Sequence, residues 1–144
     1  MRLSAKAQYA CVAMVELACS QGDKNPVHLK NVAESHGISQ RFLVQILLQL
    51  KGAGLVDSTR GAMGGYLLAK QPAQISLADI INAIDQAPPA QPSALAGLHA
   101  TPAVQAVKCV LQELQAKEQQ CLDEVTLDDL VKQTQPAGEL TYQI

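Results

Sequence analysis

The chain has 144 residues and a net charge of −2, with 48% hydrophobic residues but no Trp and a single Phe. That length suits one domain with an appended helix, and the core has to be aliphatic and alanine-rich. No apolar run approaches the roughly 20 residues a membrane-spanning helix needs. Charges at Arg2, Lys6 and Glu16 are unlike a signal peptide, so the expected location is the cytoplasm, where thiols stay reduced and no membrane is a partner. The charge is unevenly placed. Residues 1–70 hold eight basic and four acidic side chains, a net +4, whereas residues 71–144 hold three and nine, a net −6. Such a split joins a basic half suited to nucleic acid to an acidic body.

In chain order, Ser4 caps a first helix to about Cys19, with Tyr9, Ala10, Ala13, Met14, Leu17 and Ala18 inward. Gln21 to Pro26 is a polar loop, and Val27–Leu29 is expected to form a short edge strand. Leu29, Val32 and Ala33 then make a short apolar face, and His36-Gly37 turns tightly into a second cap at Ser39. After Ser39, the residues Phe42, Leu43, Ile46, Leu47 and Leu50 recur at helical spacing, leaving Gln40, Arg41, Gln45 and Gln49 outside the stripe. No apolar surface is expected on the exposed side of Ser39–Leu50. Helix, glycine turn, helix is the helix-turn-helix unit. Gln and Arg on its second helix suit base edges, because both make bidentate hydrogen bonds in a major groove.

Gly54 ends that helix, and Leu55, Val56, Ser58 and Arg60 read as a strand. Gly61, Gly64 and Gly65 bend the chain, and Tyr66 to Leu68 returns. A hairpin here is the wing of a winged helix-turn-helix, with Arg60 placed for a minor groove or a phosphate. A phosphate-cradling nucleotide loop does not fit, since no Lys-Ser or Lys-Thr follows the glycines and no helix opens after them. Gln71-Pro72 breaks the chain, and Ser76 with Asp79 forms a capping box. The helix it opens turns Leu77, Ile80, Ile81 and Ile84 inward and is expected to pack under the wing.

Gln86 to Pro102 is rich in proline (Pro88, Pro89, Pro92, Pro102) and reads as a loop. A long helix from about Ala103 to Leu122 carries Val104, Val107, Val110, Leu111, Leu114 and Leu122, a stripe too long for one small domain to cover. Two such helices packed about a two-fold axis would bury it. Thr126-Leu127-Asp128-Asp129 caps a last short helix, and the tail from Gln135 is expected to fray. The expected fold is mainly α with a small β-hairpin wing. Its units are a winged helix-turn-helix domain (1–85), a proline- and alanine-rich loop (86–102), and a dimerisation helix with a short C-terminal helix (103–144).

The segments MRLSAKAQYA, VAESHGIS, LVQILLQLKGAGLV and RGAMGGYLLAK together resemble the Rrf-two-type bacterial transcription regulators (IscR, NsrR and CymR among them). The resemblance runs from Met1 to about Asp85 and resumes at Val125–Val131. It implies a homodimeric winged-helix regulator of double-stranded DNA, a repressor in expectation, on a pseudo-palindromic operator. Phosphate contact falls to Arg2, Lys6 and Tyr9, with Lys30 nearby. Base reading falls to Gln40, Arg41 and Gln45, with Ser39 and Gln49 as neighbours, and wing contact to Arg60, Gly61, Gly64, Gly65 and Tyr66. The expected dimer interface is the stripe on the long helix.

Family members that hold an iron–sulfur cluster carry three closely spaced cysteines in the loop before the long helix, and this loop has none. The four cysteines are Cys11, Cys19, Cys109 and Cys121. On a straight helix Cys109 and Cys121 lie about 18 Å apart, and Cys11 and Cys19 about 12 Å. Cluster ligands must converge, so no cofactor is expected and no metal site is assigned. His99 is alone in the loop and makes no site by itself. His28 and His36 border the helix-turn-helix as structural residues or phosphate contacts. All four thiols are expected to be buried as small hydrophobes, with Cys109 or Cys121 as a redox-sensing thiol the alternative. Besides DNA binding, a winged-helix protein-interaction module would use the same elements. An enzyme has no support, for the chain lacks a His–carboxylate–nucleophile set, a phosphate loop and metal spacing. The effector, whether an apolar ligand, a partner or none, is left open.

Overall fold

A computed structural model describes residues 3–20, 25–61, 64–85 and 94–135. Arg2, most of the polar loop before Pro26, the first part of the proline-rich loop and the tail beyond Gln135 lie outside that set. Six α-helices and one two-stranded antiparallel sheet are present among the described residues.

Helix α1 (Ala5–Cys19) begins where Ser4 Oγ accepts from Ala7 N–H at 3.0 Å. Ser4 is itself held from across the fold. Its hydroxyl donates to Asp85 Oδ1 at 2.6 Å and its N–H to Asp85 Oδ2 at 3.2 Å. A carboxylate beside a helix N-terminus is also favoured by the helix dipole. Helix α2 (Leu29–His36) stops at Gly37, whose φ of 69° is a left-handed conformation that glycine adopts without penalty. Helix α3 (Gln40–Gly52) follows at once, with Ser39 as N-cap. Its Leu43, Ile46, Leu47 and Leu50 are buried, packed with Ala10, Ala13, Met14 and Leu17 of α1 in one aliphatic core.

Strands β1 (Val56–Thr59) and β2 (Gly65–Leu68) pair from Val56↔Leu68 to Thr59↔Gly65. The expected edge strand at Val27–Leu29 is reduced to one bridge, Val27 to Tyr66, with both N–H···O contacts at 2.9 Å. The reason is local: His28 already serves as the N-cap of α2 and Leu29 is helical. The bridge explains Gly65, where a Cβ would lie 2.5 Å from the Val27 carbonyl oxygen.

Helix α4 (Leu77–Ile84) opens on the expected capping box of Ser76 and Asp79. Its packing differs from the expectation. It rests mainly on α1, α3 and the long helix α5 (Pro102–Glu124), and not under the wing. Ile80 and Ile84 belong to the same core as α1 and α3, while Leu77 is only half-buried. The final helix, α6 (Leu127–Thr134), repeats the capping box with Thr126 and Asp129. Hydrogen bonds from Thr126 hold the Asp129 carboxyl below the ordinary carboxylate range. This part of the cap is therefore in place above that range and is lost as pH falls through the lowered value. The two caps sit side by side, because Ser76 and Thr126 form a bridge flanked by Leu77 N–H to Val125 O at 2.9 Å and Leu127 N–H to Ile75 O at 2.8 Å. Leu127 is fully buried, and α6 returns to pack on α1. Helix α5 contributes no buried residue over its 23 positions.

Gly65→Ala should destabilise the fold by about 1–3 kcal/mol through the clash at Val27, read as a lower urea midpoint with unchanged slope. Leu127→Ala should cost about 2–5 kcal/mol. A loss below about 1 kcal/mol would mean that α6 is not part of the cooperative core.

Candidate nucleic-acid interface

With four apolar side chains of α3 turned into the core, its opposite face is set by helical geometry. Arg41, Val44, Gln45 and Leu48 follow at i, i+3, i+4 and i+7, and all four are exposed. Gln40 is exposed beside them in the first turn. Ser39 Oγ accepts from Phe42 N–H at 3.5 Å, a long contact for an N-cap. Two corrections arise here. Val44 and Leu48, at 39% and 58% exposure, put apolar surface where none was expected. Gln49 is half-buried rather than outward, with its Oε1 buried and unpartnered among the described residues. It lies toward Asn82 and Ala83 of α4, away from the outward face. The apolar stripe gave the direction of the face correctly but not its chemistry, since Val44 and Leu48 are apolar residues outside the stripe.

The wing stands beside this helix. Lys51, in the last turn of α3, donates to Ser58 Oγ of β1 at 2.7 Å and ties the two together. Gly65 N–H donates to Thr59 Oγ1 at 3.1 Å and closes the hairpin. Arg60 and Gly61 are exposed at the tip, while Gly64 is buried in the turn. Arg41 and Arg60 make no ion pair with the described residues. Tyr66 is half-buried and packs on the core through the Val27 bridge, which is a structural role.

On the other flank, Lys6 is half-buried in the first turn of α1. Tyr9 was expected inward but is 40% exposed. Its ring meets that of Phe42 edge-on, with centroids 5.6 Å apart, fixing α1 against the start of α3. Lys30 is exposed on α2 and sits 4.0 Å from Glu34 one turn on, a weak surface pair. Arg2 lies outside the described residues. Neither the Lys51–Ser58 tie nor the Asp85 grip on Ser4 was foreseen, because the partners are separated in sequence and carry no local pattern.

The cysteines are mostly not where burial was expected. Cys19, Cys109 and Cys121 are exposed, and only Cys11 is partly covered. Burial pushes the Cys11 thiol above the ordinary cysteine range. Cys11 and Cys19 line a largely apolar groove of about 450 Å³ between α1 and α6, with Val12, Val15 and Leu130. Its edge carries Glu16 and His36, 3.4 Å apart. His28 is exposed as the cap residue of α2, and His99 is exposed. Among the described residues no three His, Cys, Asp or Glu side chains gather as a metal-binding group. Residues 86–93 contain none of those four types. Cys11 and Cys19 sit on α1 and Cys109 and Cys121 on α5, and among the described residues they do not gather with other such side chains. Among the described residues no helix is long and apolar enough to cross a membrane.

The family model for Rrf2, described as an iron-dependent transcriptional regulator, matches residues 3–133. The chain belongs to the Rrf2 family. Its curated relatives include the regulator CymR of Bacillus subtilis, 40% identical over 85 residues, which are 59% of this chain and 61% of that one. IscR of Cronobacter sakazakii is 42% identical over 86 residues, covering 60% of this chain and 52% of the relative. The matched stretch thus spans between half and two thirds of those relatives. Among solved structures, CymR, the global cysteine regulator of B. subtilis, superposes with a TM-score of 0.79 at 32% identity, covering 92% of this chain and 97% of that one. T. potens IscR gives 0.75 at 34% identity, covering 95% and 90%. The fold of this Rrf2 chain is accordingly a winged helix-turn-helix with a long C-terminal helix. The family's description as iron-dependent and the cysteines of this member point in different directions.

Alkylation at mildly basic pH should label Cys19 and Cys109 quickly and Cys11 slowly, as resolved by peptide mass spectrometry. Equal rates at these three would contradict the cover over Cys11.

Proposed function

We propose that this Rrf2 member is a sequence-specific transcription regulator, a cytoplasmic repressor that binds a pseudo-palindromic operator as a homodimer and holds no iron–sulfur cluster. The observation that carries this reading is the outward face of α3, where Arg41 and Gln45 are exposed, with Arg60 exposed at the tip of the adjoining wing. In such a complex α3 enters the major groove, its first two turns facing base edges. Arg41 and Gln45 supply forked donors and acceptors there, with Gln40 and Ser39 at the rim. Arg60 grips the neighbouring minor groove or its phosphates, and Lys6, Lys30 and Tyr9 hold the backbone on the other side. Arg2 joins them by resemblance to the family.

The dimer reading rests on α5. Val107, Val110, Leu111 and Leu114 are each about half exposed along one helix, which is costly unless a second copy covers them. Val104 and Leu122, half-buried at either end, extend the stripe. A two-fold arrangement then sets half-sites about one helical turn, or a multiple, apart. A thiol-responsive regulator is a second reading, favoured by the exposure of Cys109 and Cys121 on that same helix. The division into a reading domain (1–85), a connecting loop (86–102) and an assembly segment (103–144) belongs to this proposal, with α6 packed back on the first unit.

Arg41→Ala should cost about 1–3 kcal/mol on a selected operator and relax preference at one base pair. Equal weakening on operator and random DNA would instead make Arg41 a positioning contact. Wild-type affinity should fall steeply with salt, by about 0.9 in log–log slope per phosphate neutralised. Leu114→Glu should yield a monomer by sedimentation and abolish tight operator binding. Protein purified without oxygen should be colourless and iron-free. A brown, iron-loaded dimer would overturn the cluster-free reading.

A further inference from the structure

The exposed apolar pair on α3 is not used by phosphate contacts or by the forked polar side chains. Val44 and Leu48 lie one turn apart, 39% and 58% exposed, next to Arg41 and Gln45 on the outward face. Scattered single apolar residues on a surface are ordinary. Two in line at the middle of the one helix face framed by Arg41, Lys51 and the wing Arg60 form a matched stripe. Helix α3 contains no acidic residue, so whatever meets this stripe must tolerate a basic frame. That frame disfavours a neutral or basic protein surface and suits a polyanion.

A duplex offers one apolar group in its major groove, the C5-methyl of thymine. From Arg41 to Val44 the helix rises about 4.5 Å, comparable to the roughly 3.4 Å between bases along a strand. The two side chains therefore address adjacent base steps. Gln45, next to Val44, has the shape for adenine N6 and N7. We infer that Val44 is a specificity-determining residue that reads a thymine methyl in each half-site, with Leu48 covering the same methyl or its neighbour. This rests on the DNA-binding reading above and adds a chemical preference to it.

The test uses the full chain and a duplex selected from a random library. Each thymine of the selected site is replaced in turn by deoxyuridine, which removes only the methyl. The expected result is one position per half-site where wild-type affinity drops about three- to tenfold. Val44→Ala should bind both versions of that position equally, and Val44→Thr, which keeps one methyl, should retain part of the difference. Val44 is already exposed, so neither variant should disturb folding, which circular dichroism would verify. If a site is selected but no uridine position separates wild type from Val44→Ala, the inference is overturned and the DNA-binding reading stands. If no sequence is enriched at all, both fall, and the stripe belongs to a protein partner instead.

Discussion

Burial of one side of α3 is the constraint on which the rest of the molecule depends. Leu43, Ile46, Leu47 and Leu50 are all at most 1% exposed, and together they fill the space beside Ala10, Ala13 and Met14 of α1. Losing any one of them would cost about 2–5 kcal/mol, a large share of a small domain's stability. Once that side is committed, the 3.6-residue repeat leaves no freedom in what faces out. The candidate reading surface is thus a by-product of the core, held by packing. The wing is added to this rigid part by the Lys51–Ser58 contact and by the Val27 bridge, which admits only glycine at position 65.

Elements governed by local chemistry were legible in the sequence. The caps at Ser4, Ser39, Ser76 and Thr126, the glycine stop after His36, and the periodic stripe of α3 each carry their cause within four residues. What was missed depends on distant partners. The strand at Val27 is an exception, because its limit is local: α2 begins two residues on, at Leu29. Nothing in α4 says that it rests on α1 and α3, or that Asp85 reaches back to Ser4. The thiols show a different limit. Cysteine composition gives an average preference for burial, yet α5 has no core to bury Cys109 or Cys121 in. On the candidate site, Arg41 and Gln45 were recognisable by type, whereas Val44 and Leu48 were overlooked because apolar residues were assigned to the core. Gln49 was misplaced for the converse reason, since its polarity concealed a half-buried position.

Helix α5 contrasts with α3. One helix has its main apolar stripe satisfied within the chain, and the other leaves most of its stripe in solvent. The same physical pattern therefore separates an element that the domain completes from one that it leaves incomplete. The iron-dependent description of the family adds weight to this contrast. In this chain the loop ahead of α5 supplies no thiols. The groove between α1 and α6, edged by Glu16 and by His36 at the end of α2, touches the helix-turn-helix directly.

The pairing of Ser76 with Thr126 has a geometric consequence. It anchors the residue immediately after α5 to the first residue of α4, through the Leu77–Val125 hydrogen bond. The end of α5 is thereby clamped to the same body that carries α3, without a swinging connection. In the proposed dimer this makes the protein a ruler. The distance and twist between the two reading helices are fixed by the body, so one extra base pair between half-sites would shift a half-site by about 3.4 Å and a tenth of a turn. Such a ruler accepts one spacing and has no slack for its neighbours.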